Sequence, residues 1–205
     1  MTSLVAHLGV GSSLKDTALL ERRREVLVRA ATEVFAERRF DKSSVNEIAE
    51  RCGWSVGSLY RYVTSKEDIL VLVCEDIFRR LAIEDSAGAT PVERFNAAYG
   101  AYCDRIHRSR EQVLLMYREF TQMPKDAQRY FRRREREVYA VFAGIVRGGV
   151  EDGSMRCDDP DLFAVDCVMR AHAIALKRWA MPRRRWPETQ ALLVGWATRS
   201  LAPGR

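Results

Sequence analysis

The sequence is poor in the features that mark a membrane span, a metal site or a phosphate-binding loop. No uninterrupted apolar run approaches the roughly 20 residues that a bilayer-spanning helix requires. The opening MTSLVAHLGVGSSL lacks a basic start followed by a strong apolar core, which predicts a loose arm over residues 1–18 rather than a signal peptide. There are three histidines, His7, His107 and His172, and no H-E-x-x-H or other ligand spacing, so neither a metal nor a cofactor is expected. Gly148-Gly149 falls inside a helical pattern and cannot cradle a phosphate as a loop would. The five cysteines are odd in number and none is paired as C-x-x-C. Reduced thiols in a cytoplasmic protein are the simplest reading, with a redox-sensing thiol as the alternative. Extended β-branched alternation is missing as well. Together these absences weigh against an enzyme.

What is present is charge and helical periodicity. At 205 residues, 47% hydrophobic and 30% charged, the chain reads as globular. Its net charge of +6 comes mostly from arginine, whose planar fork suits phosphate and carboxylate. That charge permits nucleic-acid binding without proving it. From Glu21 to Arg38, Val26, Leu27, Ala30, Ala31, Val34 and Phe35 recur at helical steps. Ser44 with Glu47 has capping-box spacing and opens a short helix from Val45 to about Cys52. Gly53 then supplies a turn, and Ser55 caps a segment reaching about Tyr62. Ser65 precedes a helix to about Ile83, with Glu67 and Asp68 in its first turn. Ser86–Thr90 is a polar gap, and further helices are predicted at about 91–107, 110–121, 125–152, 160–180 and 187–201. The fold class is therefore all-α, with about nine helices.

The stretch WSVGSLYRY, residues 54–62, stands out. A helix of about eight residues, a glycine turn and a second short helix is the layout of a helix-turn-helix. Val56 and Leu59 can hold the second helix to the first. Gly57 and Ser58 let a backbone come close, while Tyr60, Arg61 and Tyr62 reach for phosphates or base edges. The competing reading is a solvated helix with two packing tyrosines.

Residues 24–74, REVLVRAATEVFAERRFDKSSVNEIAERCGWSVGSLYRYVTSKEDILVLVC, resemble the DNA-binding domain of the TetR family of bacterial transcriptional repressors. Phe35, Ser43-Ser44, Ile48-Ala49, Gly53, Gly57-Ser58-Leu59-Tyr60 and Ser65-Lys66-Glu67 carry the likeness. Three positions depart from the usual pattern: Arg39 where glycine is common, Trp54 for a smaller aliphatic, and Val63 for phenylalanine. The resemblance implies a helix-turn-helix domain over 19–66 and a larger ligand-sensing and dimerisation domain over 67–205. It makes Tyr60 and Lys66 phosphate contacts and places Ser43 and Ser44 near the DNA backbone. Val56, Gly57, Ser58 and Arg61 fall where bases are read, with Trp54 and Tyr62 beside them. Arg61 can take a guanine edge or a phosphate. The expected partners are double-stranded operator DNA and a second copy of the chain, with no membrane.

The resemblance makes the last two helices the homodimer interface. Their apolar residues Leu162, Phe163, Val165, Val168, Met169, Ile174, Leu176, Leu192, Leu193, Trp196 and Leu201 fit a four-helix bundle with a twin, or closure of the monomer core. Tyr99, Tyr117, Tyr139 and Phe142 are candidates to line a ligand cavity, against the reading that they are simply core. Arg170 shares a helical face with Phe163, Cys167 and Ile174, and either pairs with Asp166 or receives the anionic part of an effector. The run RRRERE at 132–137 and the cluster Arg183-Arg184-Arg185 read as solvated faces or as anion-attracting rims. The segments SKEDILVLVCEDI, YREFTQMPKDAQRYFRRRERE and GGVEDGSMRCDDPDL resemble the TetR subgroup controlling fatty-acid and steroid degradation, which implies a small hydrophobic or acyl-CoA-type effector. The expected function is a cytoplasmic, ligand-responsive repressor released from its operator by that effector, with the helix from Lys66 as the lever. The alternative is a DNA-binding regulator without a small-molecule ligand.

Overall fold

Capping chemistry places most helix boundaries. The computed structural model describes residues 17–79 and 90–202. Its elements are α1 (Thr17–Arg38), α2 (Val45–Cys52), α3 (Val56–Leu59), α4 (Lys66–Arg79), α5 (Pro91–Arg108), α6 (Arg110–Glu119), α7 (Lys125–Glu151), α8 (Pro160–Leu176) and α9 (Trp186–Ser200), with short 3-10 turns at Phe120–Gln122 and Arg178–Ala180. The described residues contain helices and no strand, as the all-α reading expects. The predicted arm lies outside the described residues except for Thr17 and Ala18, which already belong to α1. The end of the helix expected to reach Ile83 and most of the gap at Ser86–Thr90 also lie outside them.

Thr90 opens α5 with a reciprocal capping box to Glu93 and Pro91 takes the first turn. At α8 the Asp159 carboxylate accepts from the amides of Asp161 and Leu162, at 3.1 and 3.0 Å. The helix predicted over 160–180 stops at Leu176, where the Lys177 amide bonds to the Ala173 carbonyl and the chain tightens into the 3-10 turn.

The chain divides into two compact units: residues up to Phe78 with Leu114–Phe131, and Arg79–Val113 with the residues from Arg132 onward. This differs from the boundary at 66/67 expected from the sequence, since most of α4 belongs with α1–α3. Residues Asp68 to Phe78 of α4 are all buried, including Glu75 and Asp76. The Glu75 carboxylate accepts from the Arg24 guanidinium at 3.3 Å and from the Tyr130 hydroxyl at 3.4 Å, which makes its burial tolerable. The first unit centres on Leu27, Ala31, Val34 and Phe35 of α1, Ile48 of α2, Leu59 of α3 and Ile69 of α4.

The second unit packs the aromatic rings of α5 against α7 and α8. Phe95, Tyr99 and Tyr102 recur at helical spacing and surround Phe142, with ring centroids 6.2, 5.9 and 5.5 Å away. Gly100 admits α9, its carbonyl accepting from the Gln190 amide at 2.9 Å. Gly149 is a close approach of another kind: a Cβ there would lie 2.5 Å from the Met155 sulfur.

Candidate nucleic-acid interface and sensor core

The helix-turn-helix forms through local chemistry. The Ser44 hydroxyl accepts from the Glu47 amide at 3.2 Å and the Glu47 carboxylate accepts from the Ser44 amide at 2.8 Å. These bonds from Ser44, helped by Arg38 and Lys66, hold the Glu47 carboxyl below its ordinary range. Helix α2 ends in a Schellman turn. Gly53 adopts φ 68, its amide reaches the Glu50 carbonyl, and the Trp54 amide reaches back to Ala49. Ser55 caps α3 by accepting from the Ser58 amide at 3.2 Å.

Helix α3 is a single α-helical turn, shorter than the segment to Tyr62 predicted from the sequence; Tyr60–Tyr62 continue as turns. Leu59 is its buried anchor, with Val56 half-buried. The outward side carries Gly57, Tyr60 and Arg61. A Cβ on Gly57 would meet no atom within 4 Å, so no internal contact demands a glycine there. Tyr60 is 49% exposed, and Arg61 is exposed with no ion pair or hydrogen bond recorded to it among the described residues. Trp54 and Tyr62 are half-buried and packed on each other at 5.4 Å, with the Arg23 guanidinium 5.1 Å over the indole.

Two expected DNA-facing residues have internal roles. Ser43 is only 6% exposed, and its hydroxyl donates to the Phe40 carbonyl at 2.7 Å. Lys66 donates to the carbonyls of Phe40 and Ser43. The Ser43-Ser44 pair thus divides: one hydroxyl stays in the loop below and the other caps α2. Arg39, where glycine was usual, takes the left-handed φ of 67, and its amide closes α1 on the Phe35 carbonyl at 3.1 Å.

In the second unit, Tyr99 and Phe142 come together and both are fully buried. The Tyr99 hydroxyl donates to the Cys167 carbonyl at 3.0 Å, and burial pushes its phenol up. Tyr139 is half-buried on α7. Tyr117 belongs to the first unit, on an exposed part of α6. Arg170 departs from the apolar setting its spacing suggested: it is exposed, pairs with Asp166 at 2.8 Å and lies 3.3 Å over the Trp196 ring. Of its two sequence readings, the local ion pair is the one formed.

The sequence reading missed Tyr102 and His172, which share a hydrogen bond of 2.7 Å in the aromatic core. Burial holds the His172 imidazole down to about 4, so it is neutral at physiological pH. The helical spacing of Phe95, Tyr99 and Tyr102 was the available signal; the pairing across 70 residues was not. Burial likewise pushes the thiols of Cys103 and Cys167 up to about 12 and that of Cys52 to about 11, which makes them poor nucleophiles.

The apolar residues of α8 and α9 split between core and surface. Cys167, Val168 and Ala171 are buried, while Leu162, Val165, Met169 and Leu192 are exposed, Leu162 to 66%. Arg183, Arg184 and Arg185 are exposed in the loop before α9, close to the exposed Trp179 in sequence. No described helix is long and apolar enough to cross a membrane.

Residues 27–73 match the family of bacterial regulatory proteins called tetR, and residues 88–179 match the tetracyclin repressor-like C-terminal domain. The chain is 31% identical over 179 residues to the HTH-type transcriptional regulator HbdR of Aromatoleum sp. (strain CIB), covering 85% of this chain and 78% of that one. It is 32% identical over 154 residues to the HTH-type transcriptional repressor KstR2 of Mycolicibacterium smegmatis, covering 72% and 73%. The crystal structure of AibR in complex with isovaleryl coenzyme A and operator DNA superposes with a TM-score of 0.70 at 19% identity, over 89% of this chain and 100% of that one, a likeness of fold.

Proposed function

Because this chain belongs to the TetR family of bacterial regulatory proteins, we propose that it is a ligand-responsive repressor of transcription that binds operator DNA as a homodimer in the cytoplasm. The observation that carries this reading is α3: a one-turn helix anchored by Leu59, whose Gly57, Tyr60 and Arg61 present a surface the fold itself does not use. Its length suits entry of the first residues into the major groove. Arg61 reads a guanine edge or takes a phosphate, Tyr60 donates to a phosphate, and Gly57 lets the backbone approach the DNA. Ser44, Val56 and Ser58 border this surface, and Trp54 with Tyr62 braces it.

The dimer forms through α8 and α9. Leu162, Val165, Met169 and Leu192 are the exposed apolar residues that a second copy covers. The effector enters the aromatic core of the second unit, where Tyr99, Tyr139 and Phe142 supply apolar walls. An acyl-CoA thioester is the class that best fits this core together with exposed arginines on α7 such as Arg132, Arg133 and Arg136. The likeness to a structure solved with a coenzyme A thioester and operator DNA supports that class. Arg170 is not assigned to the ligand, because Asp166 and Trp196 already hold it. Binding shifts the dimer away from its DNA-competent state by the ligand's differential affinity for the two states.

The test is binding of the purified protein to its own upstream duplex across a salt series, with and without long-chain and steroid acyl-CoAs. The expected result is specific, salt-dependent binding that one CoA ester abolishes and the free acid does not. Specific binding unmoved by every ester would instead favour a regulator without a small-molecule ligand. Binding no tighter than to random DNA would remove this duplex as the operator.

A further inference from the structure

We propose that Lys66 is a positioning residue of the DNA-reading surface and not one of its phosphate contacts: its ammonium fastens the loop between α1 and α2 to the start of α4. The Lys66 Nζ donates to the Phe40 carbonyl at 2.7 Å and to the Ser43 carbonyl at 2.9 Å, and lies 4.5 Å from the centroid of the Phe40 ring. An ammonium has three donors, so two are engaged by the loop, with the Phe40 ring also against the cation. Both loop residues are buried, which makes these bonds costly to give up.

The two ends of this strut are anchored independently. On the α4 side, the Asp68 carboxylate accepts from the Thr64 and Ser65 amides, both at 3.0 Å, and the Asp68 amide donates to the Ser65 hydroxyl, which fixes the first turn that carries Lys66. On the loop side, the Phe40 carbonyl also accepts from the Ser43 amide and hydroxyl. The loop begins at Arg39 in its left-handed conformation and ends at Ser44, the cap of α2. A cation that ties such a loop from beneath sets where α2 begins, and α3 follows α2 through the Gly53 turn. Reaching a phosphate would require the Nζ to leave carbonyls that it already satisfies.

The inference rests on the DNA-binding reading for its affinity arm and on the fold alone for its exchange arm. Two full-length variants separate the roles. Lys66→Met keeps the aliphatic stem and removes the charge. Lys66→Arg keeps the charge, but its planar fork cannot place one nitrogen between the two carbonyls. Each is measured for affinity to the upstream duplex over a salt series, and for amide hydrogen exchange across Phe40–Ile48 without DNA. The expected result is that both variants exchange faster there, lose about tenfold or more in affinity, and keep the wild-type slope of log K against log salt. A slope reduced by about 0.9 per lost contact in Lys66→Met, with affinity restored in Lys66→Arg, identifies a phosphate contact and overturns the proposal. Unchanged exchange in both variants overturns it equally. If the wild-type protein does not prefer the duplex, the DNA reading of that duplex fails, and the exchange arm still decides the strut. Should Lys66→Met not fold, Lys66→Gln, which retains a donor group, carries the exchange measurement.

Discussion

The reading surface at α3 and the aromatic core of the second unit use polar side chains in opposite ways. On α3, Tyr60 and Arg61 point outward, and Gly57 has open space where a side chain would stand. In the core, the hydroxyls of Tyr99 and Tyr102 are both engaged, one by the Cys167 carbonyl and one by His172. A residue that the fold leaves unused can be altered without harming the fold, whereas a residue that closes a core cannot. Affinity and stability should therefore separate cleanly between the two regions.

The largest expected effect is Phe142→Ala. Its ring is fully buried at the centre of the aromatic cluster, and its removal should cost about 3–5 kcal/mol in urea unfolding. A loss below about 1 kcal/mol would mean the core is a loosely packed cavity. Next is pH. The folded protein resists protonating His172, whose imidazole burial lowers from 6.5 to about 4. The unfolded chain takes up that proton near 6.5, so stability is full above it and falls as pH drops towards 4. The contribution lost is about 3 kcal/mol over that window. In His172→Gln this portion of the pH dependence should vanish from unfolding curves taken at pH 7 and pH 5; a variant retaining it would locate the titration elsewhere.

Arg61→Ala inverts the pattern. Operator affinity should fall by about 1–3 kcal/mol, while unfolding stays within about 0.5 kcal/mol of wild type. Gly57→Ala sharpens the same contrast, because a better helix former with open space around it should leave stability equal or higher while DNA binding weakens. A stability loss in either variant would show that the reading surface has an internal role. The smallest effect is Arg39→Gly, which should raise stability by about 1 kcal/mol by relieving the left-handed φ of 67. Thermal unfolding checks it, and no gain would indicate that the Arg39–Asp41 pair, at 3.7 Å, offsets the strain.

Much of the architecture was legible in the sequence because its signals are local. The capping boxes at Ser44–Glu47 and Thr90–Glu93 and the prolines at 91 and 160 act within a turn of the boundary they set. The outline of the reading surface was legible for the same reason, since Gly53, Gly57, Leu59 and Arg61 lie within nine residues of one another. Other features escaped. The spacing that put Arg170 on an apolar face said nothing of Trp196, whose ring lies on another helix. Stopping α3 at one turn also eluded the pattern, because the residues after Leu59 remain compatible with helix.

By itself, then, the sequence determined nearly all of the helices, their ends and the outward-facing polar turn, through hydrogen bonds between neighbours and the periodic burial of apolar side chains. Tertiary structure alone decided the fates of individual groups. It buried Ser43, turned Lys66 inward to carbonyls 26 and 23 residues away, and paired Tyr102 with His172 across 70. It also sorted α8 into a buried face at Cys167 and Val168 and an exposed one at Leu162, Val165 and Met169. The physical reason is that a donor takes whichever acceptor the fold brings within about 3 Å, and separation along the chain does not encode that distance.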